Sequence, residues 1–211
     1  MARGANLDLN SVPVRTTIEL MKTHHVALDT TAMTLERLML SRSGEVQAGD
    51  RPYLEHVPIG YQRYRKRSFV TINTPADDAA YQAGFRKILE VLRLLDARGI
   101  QLLPGTDDTT GFALLRELEL YVKAGLPAGK TLYDDTLGAA RYLRRDADLG
   151  TIERGKLADF VLVSGDPTSD ISAMRNTRMT MVGGVAYYPS EIYQFLSIKP
   201  FTTPPPVSVA P

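Results

Sequence analysis

Between Ala76 and Arg98 apolar residues recur at helical spacing, and the pattern then changes abruptly. Tyr81, Phe85, Ile88, Leu89, Leu92 and Leu95 form one stripe, while Asp78, Gln82, Arg86 and Arg93 mostly face away. Arg98 and Gly99 supply a stop, and the apolar run Gly99-Ile100-Gln101-Leu102-Leu103 reads as a strand. A turn, Pro104-Gly105-Thr106-Asp107, follows, and a second helical pattern runs from Phe112 to Lys123. Helix, strand, turn and helix in immediate succession restrict the chain to α/β architectures. In such folds the carboxyl end of a strand is where chemistry is kept, and Asp107 falls there.

Composition removes several function classes. The chain has 211 residues, 44% hydrophobic and 23% charged, as expected of an ordinary globular protein. A net charge of +1 gives no electrostatic drive toward nucleic acid or anionic membrane. With no Cys, disulfides and thiolate metal sites are excluded, and only three His remain as imidazole ligands. The first residues lack the apolar core of a signal peptide, and no apolar run is long enough to cross a bilayer. These features lead us to expect a soluble protein of unassigned compartment.

Toward the N-terminus, Val14, Ile18 and Met21 predict a short amphipathic helix over Pro13–Lys22. His25–Asp29 reads as a short strand and Thr34–Leu40 as a further helical turn or two. From Ser41 to Pro75 periodicity is lost, which suggests a functional loop or lid. Thr109 or Thr110 can cap the helix after Asp107, and Leu126-Pro127 starts a helix reaching about Tyr142. Beyond Gly150, Lys156–Val163 and Met179–Tyr187 are β-rich, with Gly183-Gly184 placed as a hairpin turn. Pro200–Pro211 reads as an extended, mobile tail. The expected units are 1–146, a β-rich 147–199, and the tail 200–211.

Several residues have a structural reading beside a functional one. Asp107 on spacing alone is a turn or cap residue, and Asp108 a capping or solvated one. Arg116 and Glu117 read as an ion pair on an exposed or interhelical face. His24 and His25 stand at the amino end of a strand, away from where ligands belong, and their adjacency prevents both from chelating one ion. His56 reads as a surface residue. The run Tyr61-Gln62-Arg63-Tyr64-Arg65-Lys66-Arg67 is a solvated helix or lid face rather than a nucleic-acid patch, with a secondary reading as substrate contacts. Gly125-Leu126-Pro127-Ala128-Gly129-Lys130-Thr131 has three residues between its glycines where a phosphate-binding loop has four, and a helix precedes it where that loop needs a strand.

Four segments together resemble the amidohydrolase superfamily, in particular its imidazolonepropionase-like and Xaa-Pro-dipeptidase-like members. They are Gly105-Thr106-Asp107, Arg116-Glu117-Leu118-Glu119-Leu120, Ala124-Gly125-Leu126, and Gly150-Thr151-Ile152-Glu153-Arg154-Gly155-Lys156-Leu157-Ala158-Asp159. Ala186–Tyr193 is similar to one uncharacterised subgroup of that superfamily. The resemblance implies a metal-dependent hydrolase on a (β/α)8 barrel, with Val26–Asp29 as the seventh strand and Gln101–Gly105 the eighth. A small β-sandwich, composite domain would follow, in which Glu153, Lys156 and Asp159 are structural.

On that resemblance Asp107 is the eighth-strand Asp, both a metal ligand and the proton-transfer group. A divalent metal, zinc in the usual case, lowers its water's pKa to roughly 7, and a nearby carboxylate accepts the proton. The other ligands of such families, a His-x-His pair and further His from earlier strands, do not occur here. Some relatives also carry His where this chain has Leu115. The chain therefore reads as the C-terminal portion of an enzyme cleaving non-peptide or cyclic C–N bonds, inactive alone and without stably bound metal. A truncated product, a mis-started frame or one piece of a split protein would each give that portion. A dipeptidase activity in the intact protein and a non-catalytic interaction module are the alternatives. The expected partners are a small amide or dipeptide substrate, and either a complementary N-terminal barrel fragment or a second copy of the chain.

Overall fold

The computed structural model describes residues 2–206. Helix α1 (Val12–Thr23) carries Pro13 in its first turn, where a missing N–H costs nothing, and ends at His24. His25, at φ +52°, turns the chain into strand β1 (Leu28–Asp29). Thr31, at φ +43°, turns it out again, so two left-handed residues bracket a strand shorter than its apolar pattern suggested. Helix α2 (Ala32–Leu40) follows. Residues 41–75 are less irregular than expected. They hold a 3-10 turn, Leu54–His56, and a helix, α3 (Ile59–Arg65).

Helix α4 (Pro75–Ala97) has both of its ends specified locally. The Thr74 hydroxyl accepts from the Asp77 N–H at 3.1 Å, and the Asp77 carboxylate accepts from the Thr74 N–H at 2.9 Å, a complete capping box. At the other end Gly99, at φ +75°, lets the Ile100 N–H reach back to the Leu95 carbonyl at 3.0 Å. Strand β2 (Leu102–Leu103) then pairs parallel with β1, Leu28 opposite Leu102. Helix α5 (Gly111–Ala124) leaves the turn after β2.

Helices α1, α2, α4 and α5 bury the strand pair. Ile18, Met33, Met39, Phe85, Leu92, Leu102, Leu120 and Tyr121 share one apolar cluster. The helical stretch after Leu126 is α6 (Ala128–Tyr133), a π-helical turn over Asp134–Gly138, and α7 (Ala139–Tyr142). Within that turn Asp135 makes no hydrogen bond or ion pair with the described residues. Burial alone pushes its carboxyl up to about 6. A raised pKa favours the folded state below the ordinary carboxyl range, and that benefit is lost as pH rises through 6. Asp135→Asn is therefore expected to raise stability at pH 7 by about 1–3 kcal/mol and to flatten the pH 4–6 dependence. Thermal melts of both proteins across that range would show it.

The C-terminal region forms one antiparallel sheet in the order β3-β4-β5 (Phe160–Val163, Thr177–Val182, Val185–Tyr187). Gly183 and Gly184, at φ +57° and +82°, form the expected two-residue hairpin. Val161, Leu162, Val182 and Val185 are exposed, and the described residues supply no second sheet layer to cover them. Helix α8 (Pro189–Phe195) closes the chain's regular structure.

The Pro-rich tail is not free along its described length. Phe201 stacks on Tyr193 with ring centroids 4.8 Å apart and joins an apolar cluster around Tyr53, Leu54, Val57 and Phe112. Arg178 donates to the Thr203 and Pro204 carbonyls. The Phe201 ring and these bonds from the Arg178 side chain are the contacts that the described part of the tail makes. Residues 207–211 lie outside the described residues. No helix among those described is long and apolar enough to cross a membrane.

Candidate functional site

β1 and β2 run parallel, so their carboxyl ends open on the same side of the molecule. Asp29 ends β1, and the turn Pro104–Thr110 leaves β2 beside it. A Cβ on Gly105 would overlap the Asp29 carboxylate, so glycine is what lets that side chain lie against the second strand's backbone. Asp107 stands exposed beyond the strand end at φ +46°, a left-handed conformation that Asp adopts more readily than most residues. It lies in the turn that follows the carboxyl end of β2, where the order of elements in the sequence puts it.

Of the two readings of Asp108, capping and solvated, the structure has the first, since it receives Thr110 at the start of α5 and its side chain is only 5% exposed. One carboxylate oxygen accepts from the Thr110 N–H and hydroxyl, both at 2.9 Å. The other accepts from Arg65 at 2.9 Å and Arg37 at 3.2 Å. Burial works against the charged form, yet the Thr110 bonds and the Arg65 charge hold this carboxyl below its ordinary range. Arg65 itself is buried and donates through Nε and Nη2 to Asp50 at 2.9 and 2.5 Å. The basic run is therefore not wholly a solvated face, because one of its arginines is a buried structural cation. Arg37 lies against the Tyr64 and Phe69 rings, 4.7 and 4.9 Å from their centroids, and the two rings also meet each other edge-on.

Of the two residues expected in an exposed or interhelical ion pair, Arg116 makes one with α2, whereas Glu117 is fully buried and pairs with no cation among the described residues. Its carboxylate accepts from the Ala32 and Met33 N–H groups at 3.0 and 2.6 Å and from the Thr30 hydroxyl. It thus caps α2 from a different helix, and Tyr121 completes the cluster through Thr30. Burial pushes this carboxyl up, although those three donors oppose the shift. A hint was available in the sequence, since Glu117 lies on the apolar stripe of Ala113, Leu120, Tyr121 and Ala124. Arg116 pairs instead with Glu36 through two bonds and with Glu119, which also binds Arg175.

His24 and His25 are exposed at the amino end of β1. His56 is held between the Lys199 carbonyl and the Phe201 ring, a clasp on the C-terminal segment rather than a free surface residue. Gly125 is the left-handed end of α5, and no strand precedes it, so the resemblance to a phosphate loop ends there. Asp159 accepts from the Gly183 N–H at 2.6 Å and Lys156 bonds Thr151, as structural residues of the sheet's entry. A cavity of about 570 Å3 lies beside the site rather than at it, between Tyr61, Thr109, Phe112 and α8. Leu115 lines it, in keeping with an apolar wall at that position.

Zinc sites take three or four protein ligands. Among the described residues no three His, Asp or Glu side chains are grouped to hold a cation. Asp107 is a single solvent-facing carboxylate, and these residues by themselves do not fit a catalytic metal centre.

Residues 11–186 match the model of the amidohydrolase family. The chain belongs to the amidohydrolase family. The resemblance carried by Gly105–Asp107 and Gly150–Asp159 lies inside the matched span. Among curated proteins, the imidazolonepropionase of Thermoanaerobacter pseudethanolicus is 37% identical over 81 residues, which are 38% of this chain and 19% of that one. Among solved structures, a Xaa-Pro dipeptidase with methionine bound in its active site aligns with TM-score 0.58 at 22% identity. That alignment covers 88% of this amidohydrolase and 38% of the dipeptidase. Aspergillus niger ochratoxinase aligns with TM-score 0.58 at 17% identity, covering 82% and 34%. This amidohydrolase thus spans about a fifth of the imidazolonepropionase and less than two fifths of those structures. The structural likeness shows a shared α/β fold.

Proposed function

We propose that this chain is the C-terminal part of a metal-dependent hydrolase acting on a non-peptide or cyclic C–N bond. Residues 1–146 would supply the last two strands of a (β/α)8 barrel with their helices, and 147–199 part of a small composite β domain. Asp107 would accept a proton from the attacking water and return it to the leaving nitrogen. The His ligands of a divalent metal, zinc in this reading, would come from outside these 211 residues. The observation that carries the proposal is a solvent-facing carboxylate at the carboxyl end of β2, within a chain that matches the amidohydrolase family over residues 11–186. Family membership and the imidazolonepropionase relative support the bond class. A dipeptidase activity is the variant suggested by the Xaa-Pro dipeptidase fold.

The test is zinc stoichiometry and hydrolysis, measured on the purified chain and on the chain co-expressed with a barrel segment bearing His-x-His. A panel of cyclic amides and Xaa-Pro dipeptides separates the two activities. The chain alone is expected to bind well under one zinc and to hydrolyse nothing. The assembled protein is expected to hydrolyse, and Asp107→Asn to lower kcat by about 10²–10⁴. Stoichiometric zinc with Asp107-dependent turnover in the chain alone would refute the division of the site. Full activity of Asp107→Asn in the assembled protein would remove Asp107 from the chemistry.

The sheet supports a second reading, a non-catalytic module that binds a partner. β3 and β5 each have one neighbour among the described residues, and exposed Val161, Leu162, Val182 and Val185 accompany those open edges. A second copy of the chain is the simplest partner. Light scattering on the purified chain distinguishes this from a monomer that associates only with the complementary barrel segment.

A further inference from the structure

A left-handed Asp holding a solvent-facing carboxylate is easily lost to a more ordinary conformation unless its neighbours prevent that. Around Asp107 they do so from three elements. On the upstream side, the Thr34 hydroxyl on α2 donates to the Thr106 carbonyl at 2.7 Å. On the downstream side, Asp108 is fastened at both carboxylate oxygens, by Thr110 within the turn and by Arg37 and Arg65 from outside it. Arg65 is fixed in turn by two bonds to Asp50, whose other contact is the buried Tyr53 hydroxyl. Arg37 rests against the Tyr64 and Phe69 rings. Asp107 itself makes no hydrogen bond or ion pair with the described residues, so the residue left free is the one whose two neighbours are pinned.

We propose that Asp108, clamped by Arg65 and Arg37, is a positioning residue that locks the Asp107 backbone in its left-handed conformation and keeps that carboxylate directed out of the strand end. This rests on Asp107 being the proton-transfer group. The clamp explains why a cation from a loop-like, basic segment is buried. It also gives residues 41–75 a role, since Asp50 and Arg65 connect that segment to the turn carrying Asp107. The segment therefore braces the site, where a lid would move over it.

The test reads the backbone directly. In isotopically labelled protein, the intraresidue amide-to-Hα coupling and cross-peak of Asp107 report positive φ. Asp108→Asn keeps the shape of the turn while weakening the arginine contacts, and Asp108→Ala removes both. Both variants are expected to lose the positive-φ signature at Asp107. Amide exchange over 105–110 should speed up by about tenfold or more, while Leu118–Tyr121 amides keep their protection. In the assembled hydrolase Asp108→Asn should lower kcat about tenfold or more at unchanged KM, with Arg65→Lys retaining more activity than Arg65→Met. A folded Asp108→Asn protein that keeps positive φ at Asp107, or that keeps its full kcat where Asp107→Asn loses it, would overturn the proposal. If Asp108→Asn loses positive φ while Asp107→Asn remains fully active, the geometric clamp stands and the catalytic role of Asp107 fails instead.

Discussion

Replacing Glu117 with alanine is expected to cost about 3–5 kcal/mol of folding free energy, enough to consume a large part of a domain's margin. The side chain is fully buried and receives the Ala32 and Met33 N–H groups and the Thr30 hydroxyl. Its removal strands two buried N–H donors, each worth roughly 1–3 kcal/mol when left without a partner, and opens a void beneath α2. Tyr121 also loses the arrangement that satisfies its hydroxyl through Thr30. Glu117→Gln keeps the volume but turns an NH2 group toward an N–H donor, so an intermediate loss of about 2 kcal/mol is expected. Urea unfolding at constant m measures both. A loss below 1 kcal/mol for Glu117→Ala would mean that water or a neighbouring side chain satisfies the cap of α2.

Arg65→Met should have an effect of the same size by a different route. It leaves Asp50 and Asp108, 3% and 5% exposed, as buried carboxylates without their shared cation. Breaking one side of a buried pair costs about 3–5 kcal/mol, because the remaining charge is stranded. The double variant Arg65→Met, Asp50→Asn should lose less than the sum of the two single changes, and a double-mutant cycle gives the coupling. The pH dependence adds a sign. Asp108 is held below its ordinary range in the folded state, so it stabilises the protein above that range. That stabilisation is lost as pH falls through its folded value. Arg65→Met should therefore flatten the acid limb of the stability curve, and an unchanged acid limb would argue against the pair.

What could be read in the sequence was whatever is specified over a few residues. Thr74-Pro75 with Asp77 at the start of α4, Gly99 at its end and Gly183-Gly184 in the hairpin each act through their own backbone. Their elements accordingly appear close to where spacing put them. The place of Asp107 in the turn was legible for the same reason, since the strand, turn and helix around it are consecutive. The burial of Glu117, Asp108 and Arg65 was not legible, because the groups that enclose and pair with them, among them Thr30, Met33, Arg37 and Asp50, come from other parts of the chain. Arg65 follows the partly buried Tyr61 by four residues, one faint sign that it faces inward. The contacts of the tail were not legible in its Pro content, because Phe201 finds its stacking partners only when α8 and residues 53–57 are in place.

The strand pair bears on how the molecule assembles. β1 and β2 are joined by few main-chain bonds, Leu28 to the Gln101 carbonyl and Thr30 to the Leu103 carbonyl among them. Those bonds close the long stretch of chain that contains α2, α3 and α4, and loop-closure entropy must be met before so short a ladder returns anything. Apolar packing of α2, α4 and α5 around Leu28 and Leu102, more than the ladder itself, holds the two ends together. The helices are the scaffold on which so short a strand pair rests, and the edge that presents Asp107 depends on them.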